Sequence, residues 1–442
     1  MKSFSLYRII LLLFGAAVGF TVIFAGGRDI WTLAAAGMIL SANCILILYR
    51  MYRKKEDIPT PPMILILILF LAYMCGVSLY RGVWSVSFPF FIKFAVYCLA
   101  YISAFWFFNK SPKITAIFII CACTGSFIAL YGLIRYLYDV YTEGILNAAL
   151  SAFFVNKNHF AGHMEMIIPC TGALLLFPLQ KSQKALVLYA VILMCAGLGF
   201  SMSRGGWISF LIGFIVFGFL LFPVSRKKSA LASTGMIAGG ILLCIAMLCF
   251  IGTEPIIRKV ESTIDDRYLG MEGRYRIWES SFRSIRENPW LGKGAGTFPF
   301  MYQKYRPAFV CKRVAFAHND YIHILFETGI VGLLFIIIIL GERVYPYVLS
   351  AYKYYSDRIV SENYDDIHTS SHCRVRFASA VAVAVALTSI VIHSFVDFNL
   401  HLSANGILLS MLVGIGMRIG YDIPAEKDGD TPAETPGSTE KP

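Results

Sequence analysis

The feature that most constrains this chain is the recurrence of uninterrupted apolar runs, such as PMILILILFLAYMCGVSLY at 62–80 and GIVGLLFIIIIL at 329–340. A helix of about 20 apolar residues spans the hydrocarbon layer and satisfies its own backbone hydrogen bonds there. Apolar stretches divided by charged or Pro/Gly-rich breaks fall near 7–25, 30–49, 62–80, 86–108, 114–138, 161–178, 185–202, 206–222, 230–252, 319–340, 377–395 and 403–421. The expectation is an all-α polytopic membrane protein of about twelve spans. A composition that is 57% hydrophobic and 15% charged agrees with it. The first span lacks an A-x-A cleavage site and is expected to be retained.

Lysine and arginine in the short loops give the orientation. With the N-terminus inside, inner segments hold Lys2, Arg8, Arg50, Arg53, Lys54, Lys55, Lys110, Lys113, Lys181, Lys184, Arg226, Lys227 and Lys228. The outer short loops hold only Arg28, Arg81, Lys157 and Arg204. Both termini are therefore expected in the cytoplasm. The net charge of +12 is largely topological and does not argue for nucleic acid. Most cysteines, Cys75, Cys121 and Cys195 among them, fall within spans, and Cys311 falls outside, so no disulfide framework is expected.

Residues 1–422 read as one transmembrane unit. It carries a long outer loop at 253–318, between spans nine and ten, and an inner segment at 341–376 that reads as a helix at the cytoplasmic surface. The polar, Pro-rich tail at 423–442 reads as disordered. In the outer loop, Trp278, Phe282 and Ile285 recur at helical spacing and predict an amphipathic helix ending at Asn288-Pro289. LGKGAGTF follows as a tight turn. The helix would lie along the outer leaflet or pack on the bundle with its arginines in water.

Ionisable groups within spans are costly and face a cavity or a partner. Lys93, Arg135, Glu165, Glu327 and Asp397 are such groups, and His159, His163, Arg204, His318, His393 and His401 gather near the outer ends. Arg204 lies in SMSRGG, where Gly205 and Gly206 let another group approach closely, and its guanidinium suits phosphate oxygens; snorkelling to lipid phosphate is the alternative. His318 opens span ten and suits general base work, or is a solvated interface residue; His323, five positions on, should face elsewhere. His159 and His163 are one turn apart, as are His393, Asp397 and His401, a spacing that a zinc or magnesium site could use. There is no HExxH and no second carboxylate at ligand spacing, and Asp265-Asp266 sits in a loop-like stretch, so no catalytic metal and no cofactor are expected.

Four segments in this order, NKNHFAG at 156–162, SMSRGG at 201–206, GRYRIWESSFRSIRENPWLGKGAGTF at 273–298 and HNDYIHILFETGIVGLLF at 318–335, resemble the O-antigen ligase and polymerase superfamily of bacterial inner-membrane glycosyltransferases. The resemblance implies a metal-independent, inverting C-type enzyme working at the periplasmic face, with 253–318 as its periplasmic loop. Its donor would be a glycan on undecaprenyl diphosphate, and its acceptor the lipid A core or a similar molecule. By motif position Arg204 and Arg274 would hold the diphosphate and His318 would assist the acceptor hydroxyl. Arg276 shares the GR-x-R-x-W pattern with Arg274, and spacing does not decide between them. Asn319, Asn158 and His159 would line the same cavity, although the Asn and His of NKNHFAG would also serve to cap span six.

A polymerase that uses a second lipid-linked glycan as acceptor has the same phosphate chemistry, and a protein-directed ligase is a third form. A bicarbonate-uptake-like transporter is the reading from another class, with Lys93, Glu165 and Glu327 as its path. The gathering of charged motifs at one face favours the enzyme, because a transporter needs a midplane site.

Overall fold

The computed structural model describes residues 6–143, 149–225, 271–307, 313–361 and 367–424. The expected span at 230–252, residues Asp265, Asp266 and Cys311, and the tail from 425 lie outside these residues.

The described chain is helical. The helices are α1 (Leu6–Ile23), α2 (Ile30–Lys54), α3 (Ile64–Tyr80), α4 (Trp84–Phe107), α5 (Ser111–Glu143), α6 (Lys157–Ala173), α7 (Lys181–Phe200), α8 (Arg204–Ser225), α9 (Met271–Glu287), α10 (Asp320–Ile338), α11 (Tyr345–Ser361), α12 (Ile367–His393) and α13 (Ser403–Tyr421). Among the described residues, nine helical stretches are long and apolar enough to cross a membrane. The chain is a multi-pass membrane protein. Eleven of the twelve expected spans correspond to described helices. α3 is shorter than the nine, and α6 carries polar residues along much of its length.

The centre of the bundle is α12 with α13. In the stretch Ser371–His393, 83% of the best apolar window is buried. Its alternating alanines and valines (ASAVAVAVA) leave little side chain between neighbouring backbones, which is how helices associate where lipid is as apolar as leucine. α12 packs on α6, α8 and α11, and α13 packs on α4. On the outer helices the large apolar residues face out instead, as with Leu65, Ile68 and Leu69 on α3, Leu186 and Tyr189 on α7, and Phe219 on α8. That is the surface lipid requires.

Three expectations change in the structure. α10 does not end near 340; it runs through a π-helical turn (Ile339–Val344) into α11, and Val348, Ala351 and Tyr355 of α11 are buried against the bundle. The inner segment is thus a continuation of a span, packed on α12 and α13. The 41 residues from Asp320 to Val360 would reach about 60 Å as helix, roughly twice the hydrocarbon thickness, so the run must extend beyond the bilayer.

The second change concerns α9. Phe282, which packing of the apolar stripe on the bundle would put inside, is 43% exposed, whereas Ser280, Ser281 and Ser284 are fully buried alongside Ile277 and Ile285. The helix turns its small residues inward, because close approach to Phe298, Tyr302, Ile322 and Phe326 leaves no room for a second phenyl ring. The third is the segment after α12. The spacing of His393, Asp397 and His401 suggests successive turns of one helix, but α12 ends at His393 and the chain turns through 394–398 into a 3₁₀ turn at Asn399–His401. The three side chains consequently reach three different partners.

Candidate active site

The heads of α6, α8 and α10 and the tail of α12 meet at one end of the bundle, joined there by α9. SMSRGG makes the corner between α7 and α8. Met202 takes left-handed backbone angles (φ 53°), Ser203 Oγ accepts from the Gly206 amide at 3.2 Å, and Arg204 becomes the first residue of α8, exposed. A serine cap of this kind satisfies one of the first amides of the helix and fixes where the chain enters α8. The two glycines serve packing. A Cβ on Gly205 would lie 2.8 Å from Val396 and 3.0 Å from His393 Nε2, and one on Gly206 2.6 Å from Ala161. The close approach expected of them is real, but the approaching groups are α12 and α6. The effect is to press the backbone beside Arg204 against Val396.

Val396 and Asp397 are where the other candidates converge. Arg274 donates Nη1 to the Val396 carbonyl, and its Nη2 lies 3.6 Å from Asp397 Oδ2. Asn158 Nδ2 donates to the same carboxylate oxygen. His318 Nδ1 lies 3.8 Å from Asp397 Oδ1. Asp397 is fully buried, with the Phe398 amide donating to Oδ1 at 2.8 Å. Burial pushes its carboxyl up, but His318, His159 and Arg274 outweigh burial and hold it well below the usual carboxylate range. Asp397 is an anion with cationic and donor neighbours from three elements.

His318 has φ 51°, a left-handed conformation that a non-glycine residue holds at a cost of about 1–2 kcal/mol. The structure around it imposes this. Trp278 Nε1 donates to the Ala317 carbonyl at 2.9 Å, and Asn319 caps α10, accepting from the Ile322 amide at 3.0 Å while its Nδ2 donates to Phe395 O at 2.8 Å. The imidazole stands edge-on to Phe398 at 4.9 Å, with 19% of its side chain open. His323 lies on a different face, as its spacing implies, and pairs with Glu327 at 3.1 Å.

The remaining candidates divide. His159 is buried in the same wall, with Nδ1 3.3 Å from Asn399 Oδ1 and its ring edge-on to Phe398. Arg274 turns inward, whereas Arg276 is exposed on the outer side of α9, 3.5 Å from Glu279. Asn319 is used in the cap and the Phe395 contact. His163, one turn from His159, meets Asn405 at 3.0 Å instead of sharing a partner with it.

Four groups not named as site residues from sequence complete the wall. Glu165 accepts from Ser209 at 2.5 Å and pairs with His393 at 3.0 Å, tying α6, α8 and α12 together under Arg204. Asp320 pairs with His401 at 2.8 Å. Glu327 receives the Gly296 amide at 2.8 Å and the Phe298 amide at 2.9 Å, so it seats the glycine turn. Lys93 Nζ donates to the His401 carbonyl at 2.9 Å. Of the three charges of the transport reading, Lys93 and Glu327 hold loops at this end of the bundle and Glu165 ties helices together. Their signal in the sequence was an ionisable residue inside an apolar run; what that signal lacks is the identity of the partner.

No curated protein shows a significant match to the chain. Residues 189–337 match the family model described as O-antigen ligase, a stretch from α7 through α8 and α9 into α10 that includes Arg204, Arg274 and His318, while Asn158, His159 and Asp397 lie outside it. The chain is thus a multi-pass membrane protein in which residues 189–337 match the O-antigen ligase family model.

Proposed function

We propose that the protein is an inner-membrane glycosyltransferase that moves a glycan from undecaprenyl diphosphate to a hydroxyl of the lipid A core or a similar acceptor at the periplasmic face. The observation that carries this reading is the convergence of Arg274, Asn158 and His318 on Asp397, with Arg204 opening α8 beside them.

In this reading the acceptor oxygen attacks the anomeric carbon as the bond to the diphosphate oxygen breaks, inverting the centre in one displacement. Its proton passes to His318. With Nδ1 turned toward the Asp397 anion, Nε2 is the atom left to accept it, and the carboxylate stabilises the imidazolium that forms. The departing diphosphate gains negative charge. Arg204, exposed at the positive end of α8, and Arg274, still 20% open, supply fixed positive charge for it. Asn158 and His159 keep the Asp397 wall rigid, Asn319 holds His318 in its left-handed turn, and Arg276 faces the lipid headgroup region from outside.

The test is transfer in proteoliposomes holding the purified protein, an undecaprenyl-diphosphate glycan and a lipid A core acceptor. Glycosylated core is the expected product, abolished in Arg204→Ala and His318→Ala proteins that insert normally. Full transfer by those variants would overturn the assignment. Growth of the glycan on its lipid carrier, with the core untouched, would make the protein a polymerase.

A further inference from the structure

The head of α10 and the segment after α12 are joined by two histidine–aspartate pairs that cross. One pair takes its histidine from the α10 side, His318 with Asp397. The other takes it from the far side, His401 with Asp320. The second pair is the tighter, 2.8 Å between His401 Nδ1 and Asp320 Oδ1 against 3.8 Å for the first. Asp320 is fixed in turn: Ser394 Oγ donates to its Oδ2 at 2.9 Å, the Leu400 amide approaches the same oxygen at 3.4 Å, and its own amide donates to Ser394 O at 2.9 Å.

This arrangement decides what His401 has left to offer. With Nδ1–H committed to the carboxylate, Nε2 carries a lone pair, and no hydrogen bond occupies that atom among the described residues. About as much of this side chain is open as of His318, 17% against 19%. Burial and the neighbouring His323 ring, centroids 4.1 Å apart, hold the imidazole below its ordinary pKa against the pull of Asp320, so at neutral pH the ring is an acceptor. Both imidazoles flank one aromatic plate: Phe316 and Phe398 stack at 4.1 Å, His318 meets Phe398 at 4.9 Å, and His401 meets Phe316 at 5.5 Å.

We propose that His401, held by Asp320, binds the acceptor, its Nε2 accepting a hydrogen bond from a second sugar hydroxyl while His318 takes the proton of the attacking one. The inference rests on the glycosyl-transfer reading and narrows the acceptor to a sugar bearing a free hydroxyl close to the attacked position. His401 is a specificity residue in this scheme: it lowers the acceptor KM and leaves the donor alone.

Two amide substitutions separate binding from mere support. In His401→Asn the amide reaches only as far as Nδ1, so the contact with Asp320 survives and the outward acceptor is lost. In His401→Gln the amide oxygen reaches the place of Nε2. Initial rates of the reconstituted full-length protein are measured with lipid A core as the acceptor probe, varying acceptor and donor in turn. The expected result is an acceptor KM raised about 10-fold in His401→Asn, the loss of one hydrogen bond, and largely restored in His401→Gln, with the donor KM within about 2-fold in both. Wild-type KM values in His401→Asn, or donor and acceptor KM rising together, would reduce His401 to a loop support and overturn the proposal. Wild-type protein that transfers no glycan overturns the glycosyl-transfer reading itself, and this inference with it; the two failures are told apart by the wild-type rate alone.

Discussion

Charged side chains gather at both ends of this bundle, and the two gatherings are built differently. At the end expected to face inward from its Lys/Arg-rich loops, Arg50 pairs with Glu56 at 3.1 Å, and Arg376 and Arg418 share Asp422 at 2.9 and 2.8 Å. Lys113 bonds the Asn109 side chain while Arg376 bonds the Asn109 carbonyl. Each of these contacts ties a helix end to its neighbour, and Lys55 takes left-handed angles (φ 51°) in the turn that brings Glu56 back to Arg50. At the outer end Met202 and His318 hold left-handed angles, His318 Nδ1 is buried without a hydrogen bond, and Arg204 stands exposed. A cluster of charge at a helix end therefore says little, and backbone strain or an unused donor says little more, since Lys55, Arg376 and Arg418 show the same; the difference is that a histidine and an exposed guanidinium stand near one buried carboxylate, Asp397.

Substitutions at the outer end should break this contrast most. His318→Ala should lower transfer by about 10²–10⁴-fold with normal insertion, the range for a lost general base, measured as initial rate in proteoliposomes. Arg204→Ala should fall by about 10²–10³-fold and Arg204→Lys should recover only part, since an ammonium lacks the planar fork. Equal rates for Lys and Arg at 204 would reduce its role to bare charge.

Asp397→Asn tests whether that centre is a brace as well as a site. Taking the anion from Arg274 leaves a partly buried guanidinium uncompensated, so thermal unfolding in detergent should drop by the equivalent of about 3–5 kcal/mol, and transfer should fall with it. At the inner end Asp422→Asn should cost about 1–3 kcal/mol by the same measurement while the folded fraction transfers at the wild-type rate. A fall in its intrinsic rate would mean the two ends are coupled.

The smallest effect belongs to Glu287, whose carboxyl is held below its ordinary pKa by hydrogen bonds from Lys293 and Tyr305. A depressed carboxylate adds stability above its unfolded pKa and loses it as pH falls through the folded one. Glu287→Gln should flatten stability across that acid range with transfer unchanged; an unaltered pH profile would show the pair to be inert.

The apolar runs made the bundle legible, because few other structures satisfy backbone groups in lipid. That Arg204, Arg274 and His318 stand at the same end of the bundle was legible through the order of their motifs. The inward turn of Arg274 and the outward face of Arg276 were not, since both fit one pattern and only the position of Val396 separates them. Asp397 was visible as a misplaced charge and its span was expected to end near 395, but which partners the turn after His393 brings to it cannot be read from HSFVDFNLH. The serine face of α9 was hidden for a related reason. Helices that pack closely choose small residues, so the buried face need not be the most hydrophobic one.

The glycine turn after α9 carries one more consequence. Gly329 departs from helical angles inside α10 (φ 63°), and the backbone of Trp290–Leu291 fills the break while Glu327 holds the turn from above. The first turns of α10 thus travel with the loop, and the seam between the two parts of the protein lies inside α10 and not at its start. A domain exchange between two such enzymes that cuts at His318 would sever the loop from its own seat; one that cuts after Gly329 would carry arginine, histidine and seat across as a single heritable unit.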